Sequence, residues 1–312
     1  MSDAVLLLAH GTPDSVDEIP DYLLRVTGGR PLPEAAVEEV KHRFSAIGGS
    51  PLTRLTLEQG RLLQNEIGLP VYVAMRNWTP YIADVVRQMR SDGISRAVVL
   101  CLAPQNSRTS VGLYRRAVFA AAEGALALRF LDDWADHPLL ADAFAERLRA
   151  IRDPWMAEAG SSIPVLFTAH SVPCRTVISA PHAGGGLPPD PPDPYPTEAK
   201  LTASLVATRL GLAPTEWFFA FQSQGMSGGP WLGPTVEDTL TALHEEGVTR
   251  LALQPIGFLC DHVEILYDID VAFRNFAANQ GIVLRRPASL NESHLLTQAL
   301  ADLARQSLGR SG

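Results

Sequence analysis

The chain's 312 residues are about twice the usual size of one domain, so two domains or one large α/β unit are expected. Hydrophobic residues make up 46% and charged residues 19%, enough for a sizeable core, and a net charge of −8 without any Lys or Arg run argues against nucleic acid as a partner. The three cysteines, Cys101, Cys174 and Cys260, show neither a disulfide framework nor the paired spacing of a zinc or iron–sulfur site, so a cytoplasmic location is expected.

Val5 to Ala9 is an apolar run too short for a secretory signal and without a basic stretch before it. No stretch reaches the roughly 18 apolar residues of a membrane span. The run reads instead as a parallel strand buried on both faces, over 4–9 and ending at His10-Gly11. Further strands are expected at 71–75, 97–102 and 126–131, then at 164–169, 217–222, 250–256 and 282–286. Between them, Thr79 to Arg90 sets Ile82, Val85, Val86 and Met89 at helical spacing, and Gly93 closes the helix. Thr235 to Glu246 does the same with Val236, Leu240 and Leu243 before Gly247. Ser179 to Pro196 holds Gly184-Gly185-Gly186 and seven prolines in 18 residues, which predicts an irregular or mobile surface loop that no helix crosses.

The chain also repeats itself. Val5-Leu6-Leu7-Leu8-Ala9-His10-Gly11-Thr12-Pro13 resembles Val165-Leu166-Phe167-Thr168-Ala169-His170-Ser171-Val172-Pro173, 160 residues on. Pro80, Asp84, Gly93 and Arg96 correspond to Pro234, Asp238, Gly247 and Arg250, each 154 residues on. Two matches in the same order point to a duplicated α/β half. The expected fold class is therefore α/β: two Rossmann-like lobes with parallel sheets, an N-terminal lobe over 1–120, a C-terminal lobe over 121–290, and a C-terminal helix over 291–312 packing back on them. Ligands of open α/β sheets sit beyond the carboxyl ends of the strands, where both His10 and His170 fall.

A histidine in a tight turn after a buried strand is commonly a structural group, but two at matched positions facing a cleft suit metal ligation or proton acceptance near neutral pH. A second cluster runs from Gly257 to Asp270, after the apolar strand Leu251 to Ile256. A helix starting near Asp261 would place Glu264 and Asp268 four apart on one face, a carboxylate row able to pass a dication inward. The competing reading has Asp261 as helix cap and the other acids solvated. Asp270 and His262 fit it; Glu264 and Asp268, set among Val263, Ile265 and Leu266, fit it less easily.

Taken in order, Leu6 to Pro13, Gly48-Gly49-Ser50-Pro51-Leu52, Ala169-His170-Ser171-Val172-Pro173, Asp193-Pro194-Tyr195-Pro196, Phe221-Gln222-Ser223, Pro230-Trp231-Leu232-Gly233-Pro234 and Pro255 to Asp268 resemble the ferrochelatase family in its short bacterial form. The resemblance implies a chelatase-like fold and a lyase of heme biosynthesis that inserts Fe2+ into protoporphyrin IX or coproporphyrin III. His170 and Glu264 would form the inner pair, as proton acceptors and metal ligands, with Asp268 a further metal ligand. Arg43, Ser50 and Tyr114, with Arg30 nearby, would meet the propionates, for which an arginine fork is well shaped; a structural salt bridge accounts for Arg43 equally well. Porphyrin and ferrous iron are then substrates, and no resident cofactor is required. An iron–sulfur cluster is not expected, because no cysteine follows Cys260. A monomer in transient contact with the enzyme that supplies its porphyrin is also expected.

The chain departs from relatives acting on coproporphyrin in three places. His10 stands where they carry a tyrosine that ligates heme iron, Thr27 where they have an arginine for a propionate, and Ala272 where an acid would extend the carboxylate row. Imidazole is also an iron ligand, so His10 is read as an axial ligand or a proton acceptor on the second face. A non-catalytic heme or porphyrin carrier, and a cobalt or nickel chelatase of another tetrapyrrole, remain alternatives at this stage.

Overall fold

The alternation of apolar strands and amphipathic helices folds into two parallel four-stranded sheets of the same strand order. The structure is a computed structural model that describes residues 2–178, 191–225 and 229–309. The first sheet contains β1 (Ser2–Ala9), β2 (Val71–Met75), β3 (Ile94–Cys101) and β4 (Ala127–Leu131), ordered β2-β1-β3-β4. The second contains β5 (Val165–His170), β6 (Trp217–Gln222), β7 (Arg250–Pro255) and β8 (Val283–Arg285), ordered β6-β5-β7-β8. The duplication reaches individual hydrogen bonds: Met75 N donates to Pro80 O at 2.7 Å, and Phe221 N donates to Pro234 O at 2.8 Å.

Helices α1 (Ile19–Val26), α2 (Glu34–Ala46) and α3 (Leu52–Ile67) lie between β1 and β2, followed by α4 (Ile82–Ser91) and α5 (Val111–Ala122). The long α6 (Pro138–Ala159) leads to the second lobe, which adds α7 (Cys174–Val177), α8 (Tyr195–Leu210), α9 (Val236–Glu245), α10 (Val263–Leu266), α11 (Arg274–Asn279) and α12 (His294–Leu308). α4 and α9 start within the two expected helical stretches, and Gly93 and Gly247 follow them at φ +76° and +85°, a left-handed turn that favours glycine.

Side-chain alternation explains why the central strands read as unbroken apolar runs. Val5 and Leu7 of β1 join Val165 and Phe167 of β5 in one core shared with α6, α8 and α12. Leu6 and Leu8 face the opposite way, toward α4 and α5, and Leu166 faces α9 and α11. Period-two alternation thus buries both faces of each sheet.

Three expectations need correction. Residue 120 is too early a boundary, because β4 pairs with β3 and belongs to the first sheet. Apart from these corrections, α12 lies against both α3 and α6, with Arg305 Nη2 donating to Glu66 O at 2.8 Å. Of the proline-rich stretch, 179–190 lies outside the described residues, but Tyr195 and Pro196 open α8, where a missing N–H breaks no helical bond. Finally, the helix expected from Asp261 begins at Val263, ends at Leu266 and gives way to a π-helical turn over Asp268–Phe273.

Gly60, inside α3, shows how closely helix and sheet approach. A Cβ there would sit 2.5 Å from Val73 Cγ2 on β2. Overpacking costs about 1–3 kcal/mol, more than the helix-propensity gain of about 1 kcal/mol. Gly60→Ala is therefore expected to lower the urea midpoint, and a raised midpoint would contradict this packing.

Candidate active site

β1 and β5 occupy the same place in their sheets and present matched histidines at their carboxyl ends. His10 follows β1 directly and His170 is the last residue of β5. Both line one cavity of about 380 Å³ to which both lobes contribute. Tyr22, Arg76 and Tyr114 line it from the first lobe, and Tyr195, Phe258 and Trp231 from the second.

The chemistry concentrates where α10 meets β5. Glu264 Oε1 lies 3.6 Å from His170 Nε2, and Glu264 Oε2 lies 3.7 Å from His262 Nε2. The other nitrogen of His170, Nδ1, faces the Ser171 carbonyl, which gives Nδ1 the donor role and leaves Nε2 toward Glu264. Tyr195 Oη donates to the His170 carbonyl at 2.8 Å. Asp193 steadies Tyr195 in turn, accepting from Tyr195 N at 3.0 Å and from Arg108 N at 2.8 Å. Gln222, at the end of β6, donates to the Glu264 carbonyl at 3.2 Å while its amide oxygen accepts from Thr168 Oγ1 at 2.6 Å. Two buried strand ends therefore set the start of α10. The Asp193-Pro194-Tyr195-Pro196 and Phe221-Gln222-Ser223 motifs act through these bonds.

Charge is distributed unevenly around the cavity. Burial opposes ionisation of Glu264, but the His170 imidazole, with smaller contributions from His262 and His10, brings its pKa down to about 2. Burial likewise opposes the imidazolium of His170, yet Glu264 overrides it and the pKa rises. His262 shifts the other way, because burial outweighs Glu264 and Asp261. His10 falls to about 4 through burial and the charge of Arg76. Its Nε2 meets Tyr22 Oη at 2.9 Å, and Asn77 Nδ2 lies 3.1 Å from the same nitrogen.

Of the residues singled out from the sequence, His10, Tyr114, His170 and Glu264 line the cavity; Arg43, Ser50 and Asp268 do not. Asp268 has both oxygens engaged, by Ser223 Oγ at 2.6 Å and Arg43 Nη1 at 3.3 Å. The expected i,i+4 face fails because α10 has ended. Ala272 N bonds to Tyr267 O at 2.9 Å, an i,i+5 step that takes the chain off the α-helical period. Arg43 also binds Glu39 Oε1 at 2.8 Å and lies over the Tyr267 ring, so it forms the structural salt bridge weighed earlier. Ser50 accepts from Thr12 Oγ1 at 3.0 Å, and Thr12 is the one at the cavity.

Sequence reasoning missed His262, Arg76 and Tyr22. His262 was assigned to a solvated helix start, but it is 8% exposed, lines the cavity and packs against Phe258. Asp261 is no cap: it accepts from Ser289 Oγ at 2.7 Å and Asn291 Nδ2 at 2.8 Å. Arg76 follows β2 directly, so the rule that points to strand ends could have found it. Nothing in the local pattern marks Tyr22.

Two like parallel sheets around one cleft make this the two-lobed fold of the chelatases. SirB from Bacillus subtilis with Fe3+ superposes with a TM-score of 0.61 at 10% identity, covering 98% of this chain and 96% of that one. The sirohydrochlorin chelatase SirB in complex with cobalt gives 0.57. The chain belongs to the ferrochelatase family, whose sequence model matches residues 2–308. A ferrochelatase of Acidobacterium capsulatum is 67% identical over 311 residues, covering 98% of this chain and 95% of the relative. The coproporphyrin III ferrochelatase of Geobacillus thermodenitrificans is 33% identical, covering 99% and 96%. The activity is that of a lyase-class metal chelatase, the insertion of iron into a porphyrin in heme biosynthesis. Among the described residues no helix is long and apolar enough to cross a membrane.

The pairing has a direct spectroscopic consequence. In Glu264→Gln the charge that sustains the His170 imidazolium is gone while burial remains, so its pKa should move from above 6.5 to below it. A side-chain NMR titration of His170 in both proteins checks this, and an unchanged midpoint contradicts it.

Proposed function

We propose that His170 and Glu264 together accept the porphyrin protons and briefly ligate the incoming iron. The observation that carries this reading is their 3.6 Å approach at the wall of a cavity shared by both lobes. Insertion replaces two N–H protons of the macrocycle with one Fe2+, so two protons must leave as the metal enters. The charged Glu264 carboxylate draws the dication in. A divalent cation beside Glu264 weakens the field that raises the His170 pKa, so a proton on His170 passes to solvent through the open cavity and the neutral imidazole is left as a base. His170 then takes a pyrrole proton through Nε2. The Glu264 carboxylate accepts the second pyrrole proton and hands it to the His262 imidazole, whose nitrogen lies 3.7 Å away and whose pKa burial lowers. Asp268, held by Ser223 and Arg43, supports the segment from behind in this reading.

The propionates need cations. Among the described residues Arg76 is the one guanidinium that lines the cavity, and it lies 5.4 Å from the centre of the Tyr114 ring, with Nε buried and unbonded. This pair is the proposed carboxylate seat; Arg43 and Ser50 act through Asp268 and Thr12. Both protoporphyrin IX and coproporphyrin III carry propionates, and kcat/KM for both on one preparation decides between them. The reading includes no resident cofactor: an iron–sulfur cluster takes four thiolates, and the chain has three cysteines, of which Cys101 and Cys260 are buried in separate lobes. A monomer is supported by exposed large hydrophobics that are spread over separate elements, such as Leu57 on α3, Phe119 on α5 and Leu201 on α8.

The experiment is anaerobic insertion of ferrous iron into porphyrin. His170→Ala and Glu264→Gln should each lose about 10²-fold or more in kcat while still binding porphyrin. Wild-type turnover in both would sink the mechanism. Arg76→Met should raise the KM for porphyrin about tenfold with kcat nearly unchanged, which is the pattern of a lost binding contact. An unaltered KM would remove Arg76 from the seat.

A further inference from the structure

The segment that carries His262 and Glu264 has little stability of its own. α10 is four residues long and runs straight into a six-residue π-helical turn. A helix this short is marginal without tertiary ties, and π geometry is rare. Besides the Gln222 bond to the Glu264 carbonyl and the Ser223 and Arg43 bonds to Asp268, the segment has a further tie behind it, away from the cavity.

Arg286, directly after β8, is that tie. Its side chain is 10% exposed and does not line the cavity. Nε and Nη2 donate to the two oxygens of Asp270 at 2.8 and 2.7 Å, a fork-on-carboxylate pair. Nη1 donates to the Pro287 carbonyl at 2.9 Å and to Ser289 Oγ at 3.2 Å, and lies 3.3 Å from Asp261 Oδ1. One guanidinium thus spans two carboxylates, one immediately before His262 and one in the π turn beyond Glu264. Asp261 is fixed further by Asn291, whose amide donates to Oδ2 at 2.8 Å and whose Oδ1 accepts from Asp261 N at 2.9 Å. The Asn291 carbonyl accepts from Gln59 Nε2 at 2.7 Å, which links the assembly to α3 of the first lobe.

We infer that Arg286 is a positioning residue for iron insertion, clamping Asp261 and Asp270 so that the intervening segment delivers Glu264 to His170. Lysine cannot replace it fully, because an ammonium carries the charge but cannot fork onto Asp270 and reach Asp261 together. The inference rests on the proposed role of Glu264, and its test is arranged so that the two fail separately.

Arg286→Lys, Arg286→Met and Asp270→Asn are compared with wild type and Glu264→Gln, with kcat expressed per porphyrin-binding site so that misfolded protein does not count. Asp270, with a side chain 30% exposed, is the variant best placed to keep the fold. A displacement of about 1 Å at reacting groups costs on the order of 10²-fold. Arg286→Met is expected to lose about 10²-fold in kcat, Asp270→Asn and Arg286→Lys about tenfold, all with porphyrin KM within about twofold of wild type. Arg152→Met serves as control. Its guanidinium is similarly buried but binds Ile163 O and Ser162 Oγ, away from the site, so it should lower Tm and leave kcat per site unchanged. Wild-type kcat per site in both Asp270→Asn and Arg286→Lys, beside an inactive Glu264→Gln, overturns the positioning role alone. An active Glu264→Gln overturns the reading beneath it.

Discussion

Burial disfavours the charged forms of both Glu264 and His170, and each, 3.6 Å from the other, shifts its partner back toward the charged form: the His170 pKa is raised and that of Glu264 lowered. That mutual dependence sets the demands on the surrounding structure. Coulomb attraction in a partly dry site falls away quickly if the partners drift, so both must be anchored through their backbones. The anchors are strand ends. Gln222, held by the Thr168 hydroxyl, donates to the Glu264 carbonyl, and the Tyr195 hydroxyl donates to that of His170. The side that remains open is the cavity, where a flat macrocycle and a dication can reach both groups.

Duplication supplied two histidines at equivalent strand ends, and their surroundings have since made them opposites. His170 has Glu264 beside it, which raises its pKa; His10 is buried, with Arg76 in its field, and its pKa falls to about 4. One cavity therefore holds one imidazole biased toward the protonated form and another biased toward the neutral form. Insertion of a metal into a ring with two protons to lose suits that asymmetry. Tyr22 and Asn77 meet the His10 ring, and the Ser171 carbonyl and Glu264 meet that of His170, so both imidazoles are placed rather than loose.

Elements and site differ in how far they could be read from the chain. All eight strands were legible. A central parallel strand packed on two faces is apolar at every position, as Ala4 to Leu8 are. The partly exposed edge strands, such as Ala127–Leu131, were legible from their short apolar runs between helices. His10, His170 and Glu264 were legible because strand ends and a duplicated Ala-His turn point to them. Asp268 and Arg43 mark the limit. An i,i+4 spacing places two carboxylates together only while the helix continues, and here a π turn intervenes. The acid expected to meet iron instead meets Ser223 and Arg43. His262 failed for the converse reason: a polar residue at a helix start looks solvated until Phe258 packs on it and buries it in the cavity wall.

The sequence by itself determined the two-lobed α/β architecture, its internal repeat and the strand ends at which chemistry would sit. These depend on periodicities and turns that act over a few residues. Only the tertiary structure decided which side chains share the cavity, which proton each histidine carries, and that Arg286 braces the loop behind Glu264. Those outcomes depend on burial and on charges brought together from more than 200 positions apart, as Arg43 and Asp268 are at a separation of 225. No local pattern encodes such distances.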